Sequence, residues 1–157
     1  MIFMPENVRL SVIIPAFNEE LRLAGTLRTV DSYLAAQRYE SEIIVVDDGS
    51  SDGTLRIARA CKTVKSLRVY QHSDSANHGK GASVRRGMLE ARGAYCIFMD
   101  ADNSTGIDQI VGFWPCFDQG YDIVIGSRRK QGARIEVHQP WYKELAGRLG
   151  NLVIRSW

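Results

Sequence analysis

The stretch Cys96-Ile97-Phe98-Met99-Asp100-Ala101-Asp102-Asn103-Ser104-Thr105 sets the expectations for the rest of the chain. An apolar run this short, bounded by polar turn residues, predicts a buried β-strand. Asp100 and Asp102 then lie where the strand ends and its loop begins. Two carboxylates at this spacing repel one another unless a cation lies between them, and oxygen ligands suit Mg²⁺ or Mn²⁺. The stretch therefore predicts a metal-assisted diphosphate site, with a loop that caps a helix near Ile107 as the alternative.

Predicted strands and helices alternate on both sides of this stretch. The strands are 10–14, 42–46, 67–71, 95–99 and 122–125, and the helices are 18–34, 55–62, 82–92 and 107–119. Pro15 is predicted to stop the first strand, Gly93 to close the third helix and Pro115 to kink or shorten the fourth. This alternation predicts an α/β fold whose mostly parallel sheet is covered by helices on both faces.

Unusual polar clusters begin where the predicted strands end, at 17–19, 47–49, 78–80, 100–102 and 127–129. Ligands of parallel sheets bind beyond the carboxyl ends of the strands. Helix capping would explain each cluster singly, but it predicts fewer acids and no basic residues at helix starts. The convergence favours one ligand site.

The basic residues of these clusters suit phosphate groups. Gly79-Lys80-Gly81 could present backbone N–H groups and an ammonium to a phosphate, although it matches neither the P-loop nor the dinucleotide pattern. Arg128 and Arg129 could clamp a diphosphate, or form a solvated basic turn. The three histidines, His72, His78 and His138, lack ligand spacing and are predicted to be solvated loop residues.

An Asp-x-Asp after an apolar strand is also typical of haloacid-dehalogenase-like phosphatases. That chemistry needs a later strand ending in a further acidic pair. The only later predicted strand, 122–125, ends in Gly126-Ser127-Arg128-Arg129. The phosphatase hypothesis is therefore weakly supported.

The composition indicates a soluble globular domain, with 157 residues, 45% of them hydrophobic and 24% charged. Residues 128–157 contain seven Lys and Arg against two Asp and Glu, which suggests an anionic partner for this segment. Three cysteines without CxxC spacing indicate a reducing compartment, and no apolar stretch is long enough to cross a bilayer. We expect a cytoplasmic location.

Several segments together resemble glycosyltransferase family 2 and, within it, the dolichyl-phosphate mannose and glucose synthases and bacterial polyprenyl-phosphate glycosyltransferases. The match runs from about Leu10 to Arg128, through Ile14-Pro15-Ala16-Phe17-Asn18-Glu19-Glu20, Val46-Asp47-Asp48-Gly49-Ser50-Ser51-Asp52-Gly53-Thr54, Asn77-His78-Gly79-Lys80-Gly81, Met99-Asp100-Ala101-Asp102 and Gly126-Ser127-Arg128. The resemblance implies a GT-A (Rossmann-like) nucleotide-sugar-binding core over 1–128 and a basic acceptor-side loop and amphipathic helix over 129–157. It also implies inverting transfer of a hexose from a nucleotide-diphosphate sugar.

The resemblance further implies a role for each matched position. Nucleotide-sugar binding would involve Pro15, Phe17, Glu19, Val46, Asp48, Lys80, Asp100, Ala101, Asp102 and Arg128. Within that set, Val46 and Asp48 would contact the base, and Asp102 and Arg128 would be catalytic. Mg²⁺ or Mn²⁺ would be held by Asp102 with Ser104 and Asp100.

The donor implied by the resemblance is UDP-glucose or GDP-mannose, and the form Asp-Ala-Asp-Asn-Ser-Thr slightly favours UDP-glucose. The acceptor would be a polyprenyl or dolichyl phosphate at the cytoplasmic face of a membrane, where Trp141 and Trp157 could rest on the lipid surface. Packing of that predicted helix on the sheet or on a partner is the alternative. Homo-oligomerisation stays open, and no nucleic-acid partner is expected.

Family members usually continue beyond the position of Trp157, which lies inside a predicted helix. We therefore expect nucleotide binding to survive in this chain and transfer to be impaired. A catalytically silent nucleotide-sugar-binding module is one alternative. Transfer to another acceptor, such as a polysaccharide, is a second.

Overall fold

A computed structural model describes residues 8–126, which contain a four-stranded sheet with strand order β3-β2-β1-β4 and parallel pairing throughout. The strands are β1 (Leu10–Ala16), β2 (Ser41–Asp47), β3 (Ser66–Gln71) and β4 (Tyr95–Phe98). The helices are α1 (Leu23–Ala35), α2 (Thr54–Ala60), α3 (Lys80–Glu90) and α4 (Trp114–Asp118), with a 3₁₀ helix at Ile107–Gly112. The predicted α/β architecture with a parallel sheet is confirmed.

The centre of the core is formed by β1 and β2, in which every residue is buried. Central parallel strands are covered on both faces, which is why both read as nearly continuous apolar runs. Helix α1 buries one stripe of side chains at helical spacing, Leu23, Leu27, Val30 and Leu34. Each such burial stabilises the fold by about 1.5–3 kcal/mol.

Strand β1 continues through Pro15, contrary to the predicted stop. Met99 N–H donates to the carbonyl oxygen of Ile13, so the backbone groups of Ile13 face β4, and those of Pro15, two residues on, face the same side. Pairing with β4 ends at Ile13 and Phe98, whereas pairing with β2 continues to Ala16 and Asp47. The missing N–H of Pro15 therefore faces a side on which the ladder has already ended.

At the amino end of the strands, the buried carboxylate of Glu42 in β2 is bonded to β1, to β3 and to the segment after α3. Glu42 is 2% exposed, and its Oε1 accepts hydrogen bonds from Ser11 Oγ and from the backbone N–H of Arg92, each at 2.7 Å. Its Oε2 accepts from the guanidinium of Arg68 at 2.9 Å. Burial acts to raise the pKa of Glu42, but these hydrogen bonds outweigh it and hold the pKa below its ordinary value.

Helix α3 ends differently from the prediction. The helix ends at Glu90, and Ala91 is already extended. Gly93 is needed instead for close packing, since a Cβ there would lie 2.5 Å from the backbone nitrogen of Ser11. The chain thus turns into β4 without a left-handed glycine cap.

Several predicted bounds are corrected by the structure. Helix α1 begins at Leu23 rather than near Asn18, and the predicted helix 107–119 is divided into the 3₁₀ helix and α4, with Pro115 in the first turn of α4, where its missing N–H is tolerated. Strand β4 is half-exposed rather than buried, with the Phe98 side chain 48% exposed.

The predicted fifth strand, 122–125, is wrong, because residues 121–126 form no strand. Its apolar side chains are exposed, with Ile123 and Ile125 at 79% and 81%. β-propensity alone does not make a strand without a partner to pair with.

The chain divides into two compact units, Met1–Phe113 and Trp114–Trp157. The sheet belongs to the first unit. The predicted segment 129–157 lies outside the described residues, and the functional boundary at residue 128 stays a prediction. Among residues 8–126 no helix is long and apolar enough to cross a membrane.

Gly87→Ala is expected to destabilise the fold, because a Cβ there would lie 2.4 Å from Cγ2 of the buried Ile13. We expect a loss of about 1–3 kcal/mol in the free energy of unfolding, measured by urea denaturation. Gly81→Ala in the same helix is the control: nothing lies within 4 Å of its Cβ, and we expect a gain of about 0.5–1 kcal/mol. Equal effects of the two substitutions would contradict the close contact at Gly87.

Glu42→Gln should weaken the acid dependence of stability. Because the folded pKa of Glu42 is lowered, ionised Glu42 stabilises the fold above its unfolded pKa, and this contribution is lost as the pH falls through the folded pKa. The urea midpoint of the unmodified chain should therefore fall more than that of the variant between neutral and acidic pH. Glu40→Gln, at a side chain 63% exposed, is the control for the loss of one carboxylate, and equal effects of the two substitutions would contradict the role of Glu42.

Candidate functional site

A cleft of about 290 Å³ lies beyond the carboxyl ends of β1, β2 and β4. The predicted residues that line it are Pro15, Phe17, Glu19, Asp48, Lys80, Asp100, Ala101 and Asp102. Ala16, Asn77 and Gly79 complete the lining. The structure therefore brings most of the predicted ligand-binding residues to one cavity.

Strand register explains why distant segments meet there. Ala16 and Asp47 are paired at the ends of β1 and β2, and Asp48 N–H extends the ladder by donating to the carbonyl oxygen of Ala16 at 2.9 Å. On the other side β4 diverges from β1 after Phe98. The strand order changes direction here, with β2 and β3 on one side of β1 and β4 on the other, which is where ligands bind in open α/β sheets.

The loop after β1 is fastened to the loop after β2 by reciprocal hydrogen bonds. Asn18 adopts a left-handed conformation with φ +54°; its N–H donates to Ser50 Oγ at 3.0 Å, and its Oδ1 accepts from Ser51 N–H at 2.9 Å. Glu19 N–H donates to Thr54 Oγ1 at 2.7 Å. These bonds fix the positions of the residues that form one wall of the cleft.

The acidic loop after β4 is held in place by α1. Thr26 Oγ1 donates to the carbonyl oxygen of Ala101 at 2.6 Å, and Ala101 is 4% exposed. Its neighbours Asp100 and Asp102 are exposed. The loop is thus anchored by its buried central residue, which leaves both carboxylates facing solvent at the cleft.

The two carboxylates differ in their electrostatic surroundings. Asp100 forms an ion pair with the ammonium of Lys80 across the cleft. Asp102 accepts a hydrogen bond from the backbone N–H of Ser104 at 2.9 Å. That bond, with the Ser104 hydroxyl and the charge of Arg22, outweighs partial desolvation and lowers the pKa of Asp102. Asp102 is therefore ionised at neutral and mildly acidic pH.

Two predicted site residues in the described part of the chain, Val46 and Ser104, are not among those that line the cleft. Val46 is fully buried in a core cluster with Ile13 and Ile44, and its predicted contact with the base stays a prediction. Ser104 is exposed and acts on Asp102 through its N–H. Arg128 lies outside the described residues.

Some cleft residues were not predicted individually. Asn77 and Gly79 lie in the loop between β3 and α3, and the Asn77–Gly81 segment was the signal that could have identified them. His72 was predicted to be solvated, but its side chain is 13% exposed and its Nε2 lies 3.4 Å from Asp48 Oδ1. Loop composition alone does not reveal that this loop folds over β2.

The family of this chain is shown by its match to a known family model. The model for "Glycosyl transferase family 2" matches residues 11–145. The chain belongs to that family. The phosphatase hypothesis is accordingly set aside.

Relatives in family 2 include lipid-phosphate sugar transferases. A dolichyl-phosphate beta-glucosyltransferase of Drosophila melanogaster is 39% identical over 140 residues, covering 78% of this chain and 41% of its own length. An undecaprenyl-phosphate 4-deoxy-4-formamido-L-arabinose transferase of Aeromonas hydrophila is 30% identical over 146 residues, covering 93% of this chain and 43% of its own. The chain thus spans less than half the length of these curated relatives.

The crystal structure of TarS residues 1–349 from S. aureus is similar to this chain, with a TM-score of 0.58 and 27% identity over 71% of this chain and 33% of TarS. The same protein in complex with UDP-GlcNAc gives a TM-score of 0.56 at 27% identity, covering 72% of this chain and 32% of that one. These similarities confirm the GT-A fold expected of family 2.

Thr26→Val should loosen the acidic loop, residues 100–104, while the side chain at position 26 keeps nearly the same shape. Valine removes the hydroxyl that donates to Ala101 and leaves a buried carbonyl unpaired, which should lower the free energy of unfolding by about 1–3 kcal/mol. Thr26→Ser keeps the hydroxyl and is the matched control. Hydrogen exchange of the amides in 100–104 should speed up in the valine variant only; unchanged exchange in both would contradict the anchoring role.

Proposed function

We propose that this chain binds a nucleotide-diphosphate sugar in the cleft together with Mg²⁺ or Mn²⁺. It then forms the donor-binding part of a metal-assisted inverting glycosyltransferase that moves a hexose, glucose in preference to mannose, onto a polyprenyl or dolichyl phosphate. The observation that carries the proposal is the meeting of Phe17, Asp48, Lys80, Asp100 and Asp102 at one cleft beyond the strand ends.

The chemical groups around the cleft match the parts of such a donor. Phe17 is 46% exposed and offers a stacking face to a base in the cleft that the Asp48 carboxylate also lines. Lys80, the first residue of α3, supplies a positive charge for the diphosphate. Its ion pair with Asp100 is formed by side chains 55% and 51% exposed, and exposed pairs of this kind contribute little stability, so a diphosphate can compete for Lys80.

The residues at the cleft fit a divalent cation bound together with the donor. Residues 8–126 contain no group of three or more His, Cys, Asp or Glu side chains arranged to hold an ion by themselves. Mg²⁺ commonly binds through one or two carboxylates together with waters and substrate phosphates. Asp102, which is ionised and exposed, would be the main protein ligand of the cation. Asp100 and the Ser104 hydroxyl, nearby in sequence, would be the others.

The acceptor phosphate needs little activation by the protein. It is ionised at neutral pH, so its oxygen can attack the anomeric carbon without a general base. Direct attack opposite the departing diphosphate inverts the configuration at that carbon. A bound divalent cation would stabilise the negative charge of the leaving diphosphate, and Lys80 and Arg128 would hold that group in position. The remaining work of the protein is orientation.

The choice of acceptor is supported by the names of the relatives, which include dolichyl-phosphate and undecaprenyl-phosphate transferases. The basic segment 128–157 suits the anionic headgroup of such a lipid. We propose accordingly that the enzyme works at the cytoplasmic face of a membrane, as a peripheral protein.

Calorimetric titration of the chain with UDP, with and without Mn²⁺, tests donor binding. We expect Mn²⁺ to tighten UDP binding at least tenfold, a difference of about 1.4 kcal/mol. Asp102→Asn should abolish most of that gain because it removes a carboxylate that would hold the Mn²⁺ ion. Glu40→Gln, an equal charge change before the amino end of β2 at a residue that does not line the cleft, is the control. A UDP affinity that changes neither with Mn²⁺ nor with the Asp102→Asn substitution would contradict the proposal.

Transfer is tested separately by adding polyprenyl phosphate and UDP-glucose or GDP-mannose and measuring the glycolipid formed. Binding without transfer would identify the chain as a nucleotide-sugar-binding module. Transfer to a polysaccharide instead of the lipid would identify the other acceptor class.

A further inference from the structure

Lys80 is the one lysine or arginine among the described residues that line the cleft. Four carboxylates line the same cavity, those of Glu19, Asp48, Asp100 and Asp102. Carboxylates gathered at one cavity repel one another unless cations lie among them. Lys80 therefore supplies part of the positive charge that these acids need before any ligand binds.

The charge of Lys80 is directed at one of the two acids of the loop after β4. Lys80 begins α3, and its Nζ forms an ion pair with Oδ1 of Asp100. Among residues 8–126 Asp102 has no such ion pair, and its Oδ1 accepts from the backbone N–H of Ser104. One acid is thus paired with a cation of the protein, and its neighbour is not.

The contacts that hold Lys80 are weak enough to be exchanged. Both side chains of its pair with Asp100 are about half-exposed, and exposed ion pairs shift an equilibrium by about fivefold at most. Lys80 Nζ also lies 5.7 Å from the centroid of the half-exposed Phe98 ring, whose face attracts a cation weakly. A divalent cation carries twice the charge of an ammonium, so it can replace Lys80 at Asp100 at small cost.

We propose that Lys80 is an exchangeable counter-ion of Asp100: it pairs with Asp100 in the ligand-free chain and gives up this carboxylate when a divalent cation binds there. The freed ammonium, still beside the Phe98 ring, pairs with the diphosphate of the donor. The proposal rests on the function proposed above and adds the link between its two ligands.

This exchange makes the cation and the diphosphate bind cooperatively. A cation at Asp100 has to displace Lys80, and a diphosphate that pairs with Lys80 has to draw it away from Asp100. The first ligand therefore breaks the ion pair, and the second binds without that cost. Because coupling is reciprocal, each ligand tightens the other by the same factor. Direct contact between the cation and the phosphate oxygens adds to this factor independently of Lys80.

Binding of Mn²⁺ without nucleotide, followed by the electron paramagnetic resonance signal of the free ion, tests the exchange. Lys80→Met removes the competing charge and should tighten Mn²⁺ binding about two- to fivefold, the scale of one exposed ion pair. Lys62→Met, the same substitution at an exposed lysine that does not line the cleft, should leave the Mn²⁺ affinity unchanged. In an Asp100→Asn background Lys80→Met should have little effect, because there is no pair to break.

Calorimetry of UDP binding with and without Mn²⁺ measures the coupling itself. Lys80→Met should weaken UDP binding in the absence of the ion. It should also lower the factor by which Mn²⁺ tightens UDP binding about two- to fivefold, without abolishing it. Thermal unfolding checks that the variant is folded, and Lys80→Gln, which also lacks the charge, replaces it if it is not.

The outcomes separate the exchange from the proposed function. If Mn²⁺ does not tighten UDP binding to the unmodified chain, the proposed function is wrong. If it does, and Lys80→Met leaves the affinity for Mn²⁺ alone unchanged or weakens it, the function stands and the exchange is wrong. An equal gain in Mn²⁺ affinity with and without the Asp100 carboxylate would also overturn the exchange, because Lys80 would then act only by repulsion at a distance.

Discussion

The parallel alignment of β1 with β2 and β4 is the constraint on which the site depends. Parallel strands end on the same side of the sheet, so pairing Ala16 with Asp47 brings the residues after each strand within reach of one another. The pairing of β4 stops at Ile13, so the chain opens beside Pro15 while β2 is still bonded. Pro15 has no N–H, and on the side of β1 that it faces no ladder hydrogen bond is needed. The cleft is the consequence of one ladder continuing where the other has ended.

The loops around the cleft are tied to their neighbours by hydrogen bonds of polar groups. Asn18 fastens the loop after β1 to the loop after β2, Thr26 anchors the acidic loop, and Asp48 receives the loop after β3. Several polar residues that composition would assign to ordinary turns therefore hold the cleft loops in position. This division leaves Asp100 and Asp102 exposed at the opening.

The sequence predicted the strands and their order of alternation well, because buried parallel strands give apolar runs and α1 gives a stripe at helical spacing. It failed where a tertiary contact decides the outcome. Gly93 looked like a helix cap but is required by the close approach of Ser11, and 122–125 has strand-like residues without a described partner. The position of His72 beside Asp48 depends on how a loop folds, which local spacing does not encode.

The adjacent residues Asp47 and Asp48 illustrate why residue type alone does not define a site. Successive side chains of a strand point in opposite directions, so the two carboxylates at the end of β2 enter different surroundings. Asp47 is fully buried, and its Oδ2 accepts from Ser50 N–H at 3.2 Å and from the Gln71 amide at 3.4 Å, so it shapes the turn. Asp48 is turned to the cleft with one oxygen engaged. Shifting the strand by one residue would exchange these roles without changing composition, so it is the register of β2 that selects which acid faces the cleft.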